Sequence, residues 1–441
     1  MRLRIATVVL LVLLSANTFQ LAFDVKFVGA DYSSSWPMFH DDLAHTGYST
    51  STAPTTNHIL WTYTTGGIVE SALSVANGTV YAGSDDAKVY ALSAATGNLL
   101  WAFKTATWSR YPAPYVMDSC PTVAGDTVYV GSGRTVYALN ATTGALLWNY
   151  TPTYGPMFSS PCVANGLVYV GTYTEPTICA LNATTGRLVW GYTTQPLYAA
   201  GGSGVASSPA IADGVVYVGS DNDLVFALNA TTGTLIWNYT TGDEVESSPA
   251  VANGVVYIGS FDRNVYALNA TTGALVWEYA TGGLVYSSPA VASGIIYVGS
   301  LDDNVYALNA MTGALVWSYP TGGTVQSSPA VADGVVFVGS ADGRVYALNA
   351  STGTLMWNYK TGWPYEVDCS PAVAAGIVYI GGWDDKVYAF GPESQSTIRT
   401  VLFFVGVVVV VAAIAFFVVA TVRRERKRSL PESARAKKIE Q

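Results

Sequence analysis

Residues 247–277 read SSPAVANGVVYIGSFDRNVYALNATTGALVW, and this stretch is one copy of a repeat that fills most of the chain. It contains four runs rich in β-branched and aromatic residues: SSPAV, VVYIGS, NVYAL and ALVWEY, the last ending at residue 279. Between the runs, Gly, Asn and Asp provide the backbone conformations that tight turns require. A four-stranded unit of about 40 residues is typical of a propeller blade. The stretch therefore predicts an all-β fold.

The spacing of this unit predicts the number of blades. A Trp recurs at positions 61, 101, 148, 190, 237, 277, 317 and 357, with spacings of 40, 47, 42, 47, 40, 40 and 40 residues. The first strand of the unit begins eight times, near Ser71, Ser119, Ser159, Ser207, Ser247, Ser287, Ser327 and Cys369. We therefore expect an eight-bladed β-propeller over residues 58–390.

The last unit lacks its fourth strand, because Gly391-Pro392 follows Val387–Phe390 where the usual turn would stand. Residues 58–63, HILWTY, match a fourth strand and precede the first complete unit. The sequence therefore predicts that the N-terminal strand completes blade eight. Closure of this kind removes exposed sheet edges.

A motif Thr-Gly-x-x-x-Trp ends seven of the units, and it resembles the tryptophan-docking repeat of pyrroloquinoline-quinone (PQQ)-like propellers. Its copies are Thr96–Trp101, Thr143–Trp148, Thr185–Trp190, Thr232–Trp237, Thr272–Trp277, Thr312–Trp317 and Thr352–Trp357. Residues 36–49, WPMFHDDLAHTGYS, are similar to the lead-in of that family's non-enzymatic members. The family includes dehydrogenases, assembly scaffolds and surface proteins, so the resemblance implies the fold and leaves the function to the site.

The charges divide the chain into parts. Of 441 residues, 21 are basic and 30 acidic, for a net charge of −9. Residues 24–397 carry 10 basic and 27 acidic residues, for a net charge of −17. Residues 423–441 carry 8 basic and 3 acidic residues, for a net charge of +5. Such an acidic body does not suit a nucleic-acid partner. This separation of charge instead indicates that the two parts of the chain lie in different compartments.

Two apolar segments explain this split. Residues 401–422 are uncharged and mostly apolar, long enough for a transmembrane helix, and the Arg/Lys run after them marks a basic cytoplasmic tail at 423–441. Residues 1–23 have Arg2 and Arg4 before an apolar run, which indicates a secretory signal peptide or an uncleaved signal anchor. We expect a lead-in at 24–57, a linker at 391–400, and a single-pass protein of the cell membrane with its propeller outside.

One residue per blade immediately precedes the inner strand on the predicted top face. These eight positions should ring the mouth of the central channel: Glu70, Asp118, Phe158, Ala206, Glu246, Tyr286, Gln326 and Asp368. Longer top loops add the aromatic residues Trp108, Tyr115, Trp363 and Trp383. We predict ligand binding by the six polar ring residues and these aromatics, because an acidic, aromatic mouth suits a sugar, a cationic peptide or a metal. The alternative is that the carboxylates are merely solvated or hydrogen-bonded to neighbouring serines.

Three other recurring residue types have structural interpretations. The repeated Asp of the second-to-third strand turn (Asp86, Asp262, Asp302, Asp342, Asp384 or Asp385) should cap that turn, and the repeated Trp should pack between blades. Asn-x-Ser/Thr sequons predict glycosylation, although Asn also suits a turn by itself. The sequons are at Asn77, Asn140, Asn149, Asn182, Asn229, Asn238, Asn269 and Asn349.

The residues that catalysis would need are not evident. The resemblance implies that a quinone-dependent dehydrogenase would carry a vicinal Cys pair, a calcium site and a catalytic Asp. The four cysteines (Cys120, Cys162, Cys179, Cys369) include no vicinal pair, and their disulfide pairing stays open. His40, His45 and His58 have no Cys or Glu at zinc-site spacing. We therefore expect no catalytic residues, bound metal or resident cofactor.

The sequence favours a binding or scaffold module that recognises a surface protein or glycan through its top face. One alternative is a PQQ- and calcium-dependent dehydrogenase that uses Asp118, Glu246 or Asp368. The other is a purely structural protein of the cell envelope.

Overall fold

The computed structural model describes residues 35–105, 119–152, 158–173, 175–194, 204–362 and 366–392, together with Val419. The chain divides into two units, Met1–Gly391 and Pro392–Gln441. Within the described residues, no helix is both long and apolar enough to cross a bilayer. The predicted signal segment at 1–23 lies outside the described residues, and so does the predicted membrane helix at 401–422, apart from Val419.

Eight sheets form the propeller, in agreement with the repeat count; their strands pair antiparallel, except that β1 joins β27 of blade seven in parallel. In each blade the first strand of the repeat is three residues long, and the other three strands of the repeat are five or six residues long. The first strand is short because the Ser-Ser-Pro that begins the repeat lies outside the hydrogen-bonded ladder. Blades one to four contain β3 (Ser74–Ala76), β4 (Thr79–Ser84), β5 (Lys88–Ser93), β6 (Leu99–Lys104); β7 (Thr122–Ala124), β8 (Thr127–Ser132), β9 (Thr135–Asn140), β10 (Leu146–Tyr150); β11 (Cys162–Ala164), β12 (Leu167–Gly171), β13 (Ile178–Asn182), β14 (Leu188–Tyr192); β15 (Ala210–Ala212), β16 (Val215–Ser220), β17 (Leu224–Asn229), β18 (Leu235–Thr240).

The remaining blades have the same plan, with two strands from the N-terminal region added. Blades five to eight contain β19 (Ala250–Ala252), β20 (Val255–Gly259), β21 (Asn264–Asn269), β22 (Leu275–Ala280); β23 (Ala290–Ala292), β24 (Ile295–Gly299), β25 (Asn304–Asn309), β26 (Leu315–Pro320); β1 (Tyr48–Ser49), β27 (Ala330–Ala332), β28 (Val335–Ser340), β29 (Arg344–Asn349), β30 (Leu355–Lys360); β31 (Ala372–Ala374), β32 (Ile377–Gly381), β33 (Lys386–Phe390) and β2 (Ile59–Thr64).

Strand β2 closes the ring, as the sequence predicts. It pairs antiparallel with β33, so that Trp61 stands opposite Ala389 and Ile59 opposite Phe390. The backbone N–H of Gly391 then donates to the carbonyl of His58 at 3.0 Å. The first and last strands of the propeller thus share one blade, in which β33 is paired on both sides and β2 is the outer strand.

The repeated Trp residues pack between blades, which confirms their predicted role. The indole of Trp237 in blade four is 8% exposed, and its Nε1–H donates to the carbonyl of Ala270 in blade five at 2.9 Å. The hydroxyl of Tyr217 donates to the same carbonyl at 3.1 Å. In seven of the blades the indole N–H donates to the turn of the next blade in this way, whereas Trp357 of blade seven donates to the carbonyl of Pro54 in the lead-in at 3.0 Å.

The predicted turn roles are also observed. In the Ala-Asn-Gly turn of blade five, Asn253 and Gly254 have φ of 52° and 74°, as a type I′ hairpin requires. In the second-to-third strand turn, Asp262 accepts from the hydroxyl of Tyr266 at 2.6 Å and from the N–H of Asn264 at 2.9 Å. The same carboxylate accepts from Gly242 N–H of the preceding blade at 2.6 Å, so it caps a turn and joins two blades.

The lead-in follows an unexpected path inside the ring. Between Trp36 and Gly47 its carbonyl groups accept hydrogen bonds from the inner strands of blades one, two, four, five, six and seven, at 2.6–2.8 Å. These bonds run from Val75 to Trp36, Val123 to Pro37, Ile211 to Leu43, Val251 to Ala44, Val291 to Thr46 and Val331 to Gly47. At blade eight, the N–H of Gly376 donates to Ser51 Oγ at 2.8 Å. The lead-in therefore fills the channel at the level of the inner strands.

Candidate functional site

A cavity of about 450 Å³ lies where the inner strands begin, above the lead-in. Phe39 is the lead-in residue that lines it, so an aromatic ring forms its base. We call this cavity the cup. The described residues that line it are Phe39, Glu70, Ser71, Ala72, Phe158, Ser160, Tyr173, Ala206, Ser208, Glu246, Ser248, Tyr286, Ser288, Gln326, Ser328, Asp368 and Ser370. Its size falls in the range of small-molecule and side-chain pockets, about 300–1,000 Å³.

A belt of serines forms the wall of the cup. In blades four to eight, the second Ser of the inner-strand entry accepts, through Oγ, the backbone N–H of its counterpart in the preceding blade, at 2.8–2.9 Å. This relay runs through Ser160, Ser208, Ser248, Ser288, Ser328 and Ser370. Because each of these hydrogen bonds joins two neighbouring blades, the ring of blades holds the serine hydroxyls in place. Polar wall atoms thus hold constant positions around any bound group.

The predicted mouth residues that the structure describes come together in the cup. The ring positions of blades three and four, Phe158 and Ala206, line the cup. So do five of the predicted binding residues: Glu70, Glu246, Tyr286, Gln326 and Asp368. Since the blades follow one another around the ring, Glu246 in blade five lies across the cup from Glu70 in blade one. The ring therefore carries carboxylates on opposite walls.

Burial changes the acidity of these carboxyl groups. It raises the pKa of Asp368 to about 7, with a further contribution from the adjacent Glu366. Burial likewise raises the pKa of Glu246, while a hydrogen bond with Tyr286 opposes the shift. Both groups are therefore held in a poorly hydrated wall, where a positive partner would favour their ionised forms.

Tyr173 and Asp221 form a polar corner that the repeat does not predict. Burial raises the pKa of Asp221 to about 7, and a hydrogen bond with Tyr173 opposes that shift. Burial and the negative charges of Asp221 and Glu246 raise the pKa of Tyr173 well above its usual value. Its ring also meets Phe158 edge-on, at 5.3 Å between centroids. Tyr173 thus links the acidic wall to an aromatic one.

Five of the predicted binding residues are not among the described residues that line the cup. Asp118, Trp108, Tyr115 and Trp363 lie outside the described residues. Trp383 is described and lies on the second-to-third strand turn of blade eight, where the sequence places it; it is not among the residues that line the cup, so its binding role stays a prediction. Its backbone N–H donates to the carbonyl of Glu366 at 3.2 Å, which holds it on the second-to-third strand turn rather than at the inner-strand entry.

The predicted sequons at turns show the geometry of turn caps. Asn269 Oδ1 accepts from the N–H groups of Thr271 and Thr272 at 3.0 and 2.9 Å, and Asn309 makes the same bonds although Met311 leaves it without a sequon. The turn role is therefore observed, and glycosylation of the eight sequons stays a prediction.

The cysteines and lead-in histidines are buried. All four thiols are free, and burial raises the pKa of Cys162 well above its usual value. His40 and His45 are each 2% exposed and lie in the channel, while His58 is exposed ahead of β2. Among the described residues, no group of three His, Cys, Asp or Glu side chains has the geometry of a metal site.

Comparisons with known proteins agree with this architecture. No curated protein matches the sequence. A europium-containing methanol dehydrogenase superposes with a TM-score of 0.70 at 16% identity, covering 82% of this chain and 99% of the other. BamB from Moraxella catarrhalis superposes with a TM-score of 0.63 at 20% identity, over 76% and 99% of the two chains. The computationally designed Ika8 protein gives 0.64 at 19% identity, over 75% and 98%. At these identities the similarity shows the fold alone.

The repeats themselves match a family model. The model described as outer membrane protein assembly factor BamB matches residues 44–115, 105–208, 193–288 and 280–398. These matches together span nearly the whole propeller and contain all seven Thr-Gly-x-x-x-Trp motifs. The chain therefore belongs to the PQQ-like propeller family that this BamB model describes.

Proposed function

We propose that this chain is a non-enzymatic recognition propeller, a binding or scaffold module that receives a projecting part of a surface protein or glycan in its cup. The observation that carries the proposal is the blind cup itself. Phe39 forms its base, the interlocked serines fix its wall, and its mouth carries both carboxylates and aromatic rings. A rigid concave site with a few convergent polar groups is the usual form of a binding site.

The described cup residues do not fit a quinone cofactor. PQQ is a tricarboxylic acid, so its site needs positive charge to balance it. The described lining instead presents Glu70, Glu246 and Asp368, and it includes no Lys, Arg or His. The chain also lacks the vicinal Cys pair that the family resemblance implies for a dehydrogenase. These features support recognition over quinone-dependent oxidation.

The sequence supplies the setting that we propose. The apolar segment at 401–422 and the basic tail at 423–441 support attachment to a membrane with the propeller outside. The matching family model is described as an assembly factor, which supports a protein as the partner. In this setting the cup is available to molecules outside the cell.

The test fills the cup and compares binding. Ala206 lines the cup, and the equivalent ring position in blade three is occupied by Phe158. Because that position in the repeat accepts a large aromatic ring in blade three, Ala206→Trp is chosen to fill the cup without a change in the fold. Met311→Trp is the matched control, because Met311 is 83% exposed on the turn between the third and fourth strands of its blade, at the end away from the cup. We call the turns at that end the bottom turns. The full-length chain in mild detergent is labelled and applied to arrays of oligosaccharides and of peptides.

We expect wild type and Met311→Trp to share at least one bound class of ligand that Ala206→Trp loses. Equal binding by all three proteins, or binding by none, would overturn the cup as the recognition site. Circular dichroism and the thermal midpoint establish that each variant is folded.

A further inference from the structure

We propose that the cup recognises an organic cation, the ammonium or guanidinium group of a Lys or Arg side chain on a partner protein. This inference rests on the proposed recognition function and names the chemistry of its ligand. It follows from three independent features of the described wall: opposed carboxylates, an aromatic base and side, and polar atoms that lack an internal partner.

The carboxylates are arranged to surround a charge. Glu246 in blade five faces Glu70 in blade one across the cup, and Asp368 in blade eight stands beside Glu70 in the ring. A positive group that enters along the ring axis would therefore have an acidic side chain on each side. Charge-assisted hydrogen bonds to such a group are stronger than neutral ones.

Aromatic rings cover other directions of approach. Phe39 forms the base, and Phe158 and Tyr173 stand on the wall with their rings nearly perpendicular, at an interplanar angle of 89°. A Lys or Arg head group is attracted to the face of an aromatic ring and to a carboxylate at the same time. A neutral sugar would use the rings, but it would bring no positive charge to the half-buried Glu246 and Asp368.

Buried polar atoms of the wall add to this pattern. Ser71 is 2% exposed and lines the cup, and its Oγ has no hydrogen-bond partner among the described residues. Asp368 Oδ1, in the adjacent blade, also lacks a partner among them. These two acceptors stand on the same side of the cup as Glu70. A donor-rich head group such as guanidinium would satisfy acceptors of this kind.

The described residues that line the cup include no Lys, Arg or His. Lys88 and Lys386 bind Asp86 and Asp384 in the second-to-third strand turns, at 2.6 and 3.0 Å, and neither lines the cup. The described carboxylates are also too dispersed to form a three-ligand metal site. An extended organic cation, which uses separated acceptors, fits this spacing better than a compact metal ion.

The experiment compares peptides that differ only in charge. Fluorescent Gly-Lys-Gly-Lys-Gly and its Arg, Gln and Glu counterparts are titrated with the full-length chain in detergent, at low and at physiological salt. We expect the Lys and Arg peptides to bind and the Gln and Glu peptides not to bind. Spermidine competes as a free polyamine; tighter binding of spermidine than of the Lys peptide would overturn the side-chain assignment.

Two double variants isolate the charges. Glu246→Gln with Asp368→Asn keeps the size of both side chains, and we expect it to reduce the association constant for the Lys peptide roughly tenfold or more. Asp213→Asn with Asp333→Asn removes the same charge from exposed bottom turns, where Asn occurs naturally in other blades. We expect this control to change binding by less than about twofold, since surface charges there act only at a distance.

The outcomes separate the inference from the function on which it depends. If Gln and Lys peptides bind equally, or if the cup variant binds as wild type does, the cation assignment is wrong. If an oligosaccharide binds and Ala206→Trp loses it while no Lys peptide binds, the cation assignment fails and the recognition function stands. If neither class binds, both fail.

Discussion

The indole of Trp237 lies so close to Gly273 that a Cβ added to this glycine would be 2.7 Å from the ring atom Cδ2. Gly273 also has a φ of +72°, in the left-handed region. The same relationship joins Trp61 to Gly97 and Trp317 to Gly353, so it recurs around the ring. It explains why Gly and Trp occur together in the repeat: the Gly of each blade's turn makes room for the Trp of the blade before it.

This relationship predicts that Gly273→Ala destabilises the propeller more than Gly254→Ala does. Gly254 has a φ of +74°, but nothing lies within 4 Å of its added Cβ. Both variants bear the backbone cost of left-handed Ala, about 1–2 kcal/mol, and only Gly273→Ala adds overpacking of about 1–3 kcal/mol. Denaturant midpoints measure the difference. Equal midpoints would show that the indole contact is not restrictive.

The lead-in is expected to be part of the stable core. Trp36 is 1% exposed, and its backbone forms a two-way bridge with Val75 of blade one at 2.7 and 2.8 Å. Trp36→Ala should therefore lower the free energy of unfolding by about 3–5 kcal/mol, as for other buried Trp residues. Tyr48→Ala is the control, because Tyr48 is 40% exposed. A thermal midpoint unchanged by Trp36→Ala would mean that the lead-in is only loosely held.

The channel histidines predict a loss of stability in acid. Burial lowers the pKa of His40 to about 4, with hydrogen bonds to His45 and Pro289 opposing it. Burial, then the charge of His40, lowers the pKa of His45 to about 3. Below pH 6.5 the unfolded chain takes up protons that the folded chain does not, so the free energy of unfolding falls as pH falls toward 4.

Thermal midpoints from pH 8 to 4 test this expectation. His45→Gln should be less stable than wild type at pH 7.5, because it disturbs a buried site, but its midpoint should fall less steeply between pH 6.5 and 4. Parallel curves for the two proteins would contradict a buried, neutral His45.

Asp41 predicts an effect of opposite sign. Burial, and then the charge of Asp42, raises the pKa of Asp41 to about 8. Since the folded chain retains a proton that the unfolded chain releases above pH 3.8, this group lowers stability as pH rises toward 8. Asp41→Asn should match wild type near pH 4 and be more stable at pH 8.5, and Asn accepts its φ of 74°. A variant that is equally stable at both pH values would contradict the shift.

The sequence predicted the fold because the blades repeat. Alternating buried residues, Asn-Gly turns and the Trp of the fourth strand report local structure, and eight copies leave little ambiguity. The closure by β2 was also predictable, since residues 58–63 match the strand missing after Phe390. The mouth positions Glu246 and Asp368 followed from their place before the inner strands.

The path of the lead-in was not predictable in this way. Its bonds to Val251 and Val291 use its own backbone carbonyls, which no side-chain pattern encodes, and the segment occurs once. The aromatic base of the cup at Phe39 was missed for this reason. Tyr173 and Asp221 were missed because their loops depart from the repeat: blade four has Asn222 where blade five has Asp262, and Phe226 where it has Tyr266.

The most direct test of the account titrates the full-length chain with PQQ, with and without calcium, and follows absorbance and thermal midpoint. The acidic, cation-free described wall of the cup predicts no saturable change in either signal. Saturable, calcium-dependent binding that Ala206→Trp abolishes and Met311→Trp retains would place a quinone in the cup, and it would contradict a non-enzymatic recognition propeller.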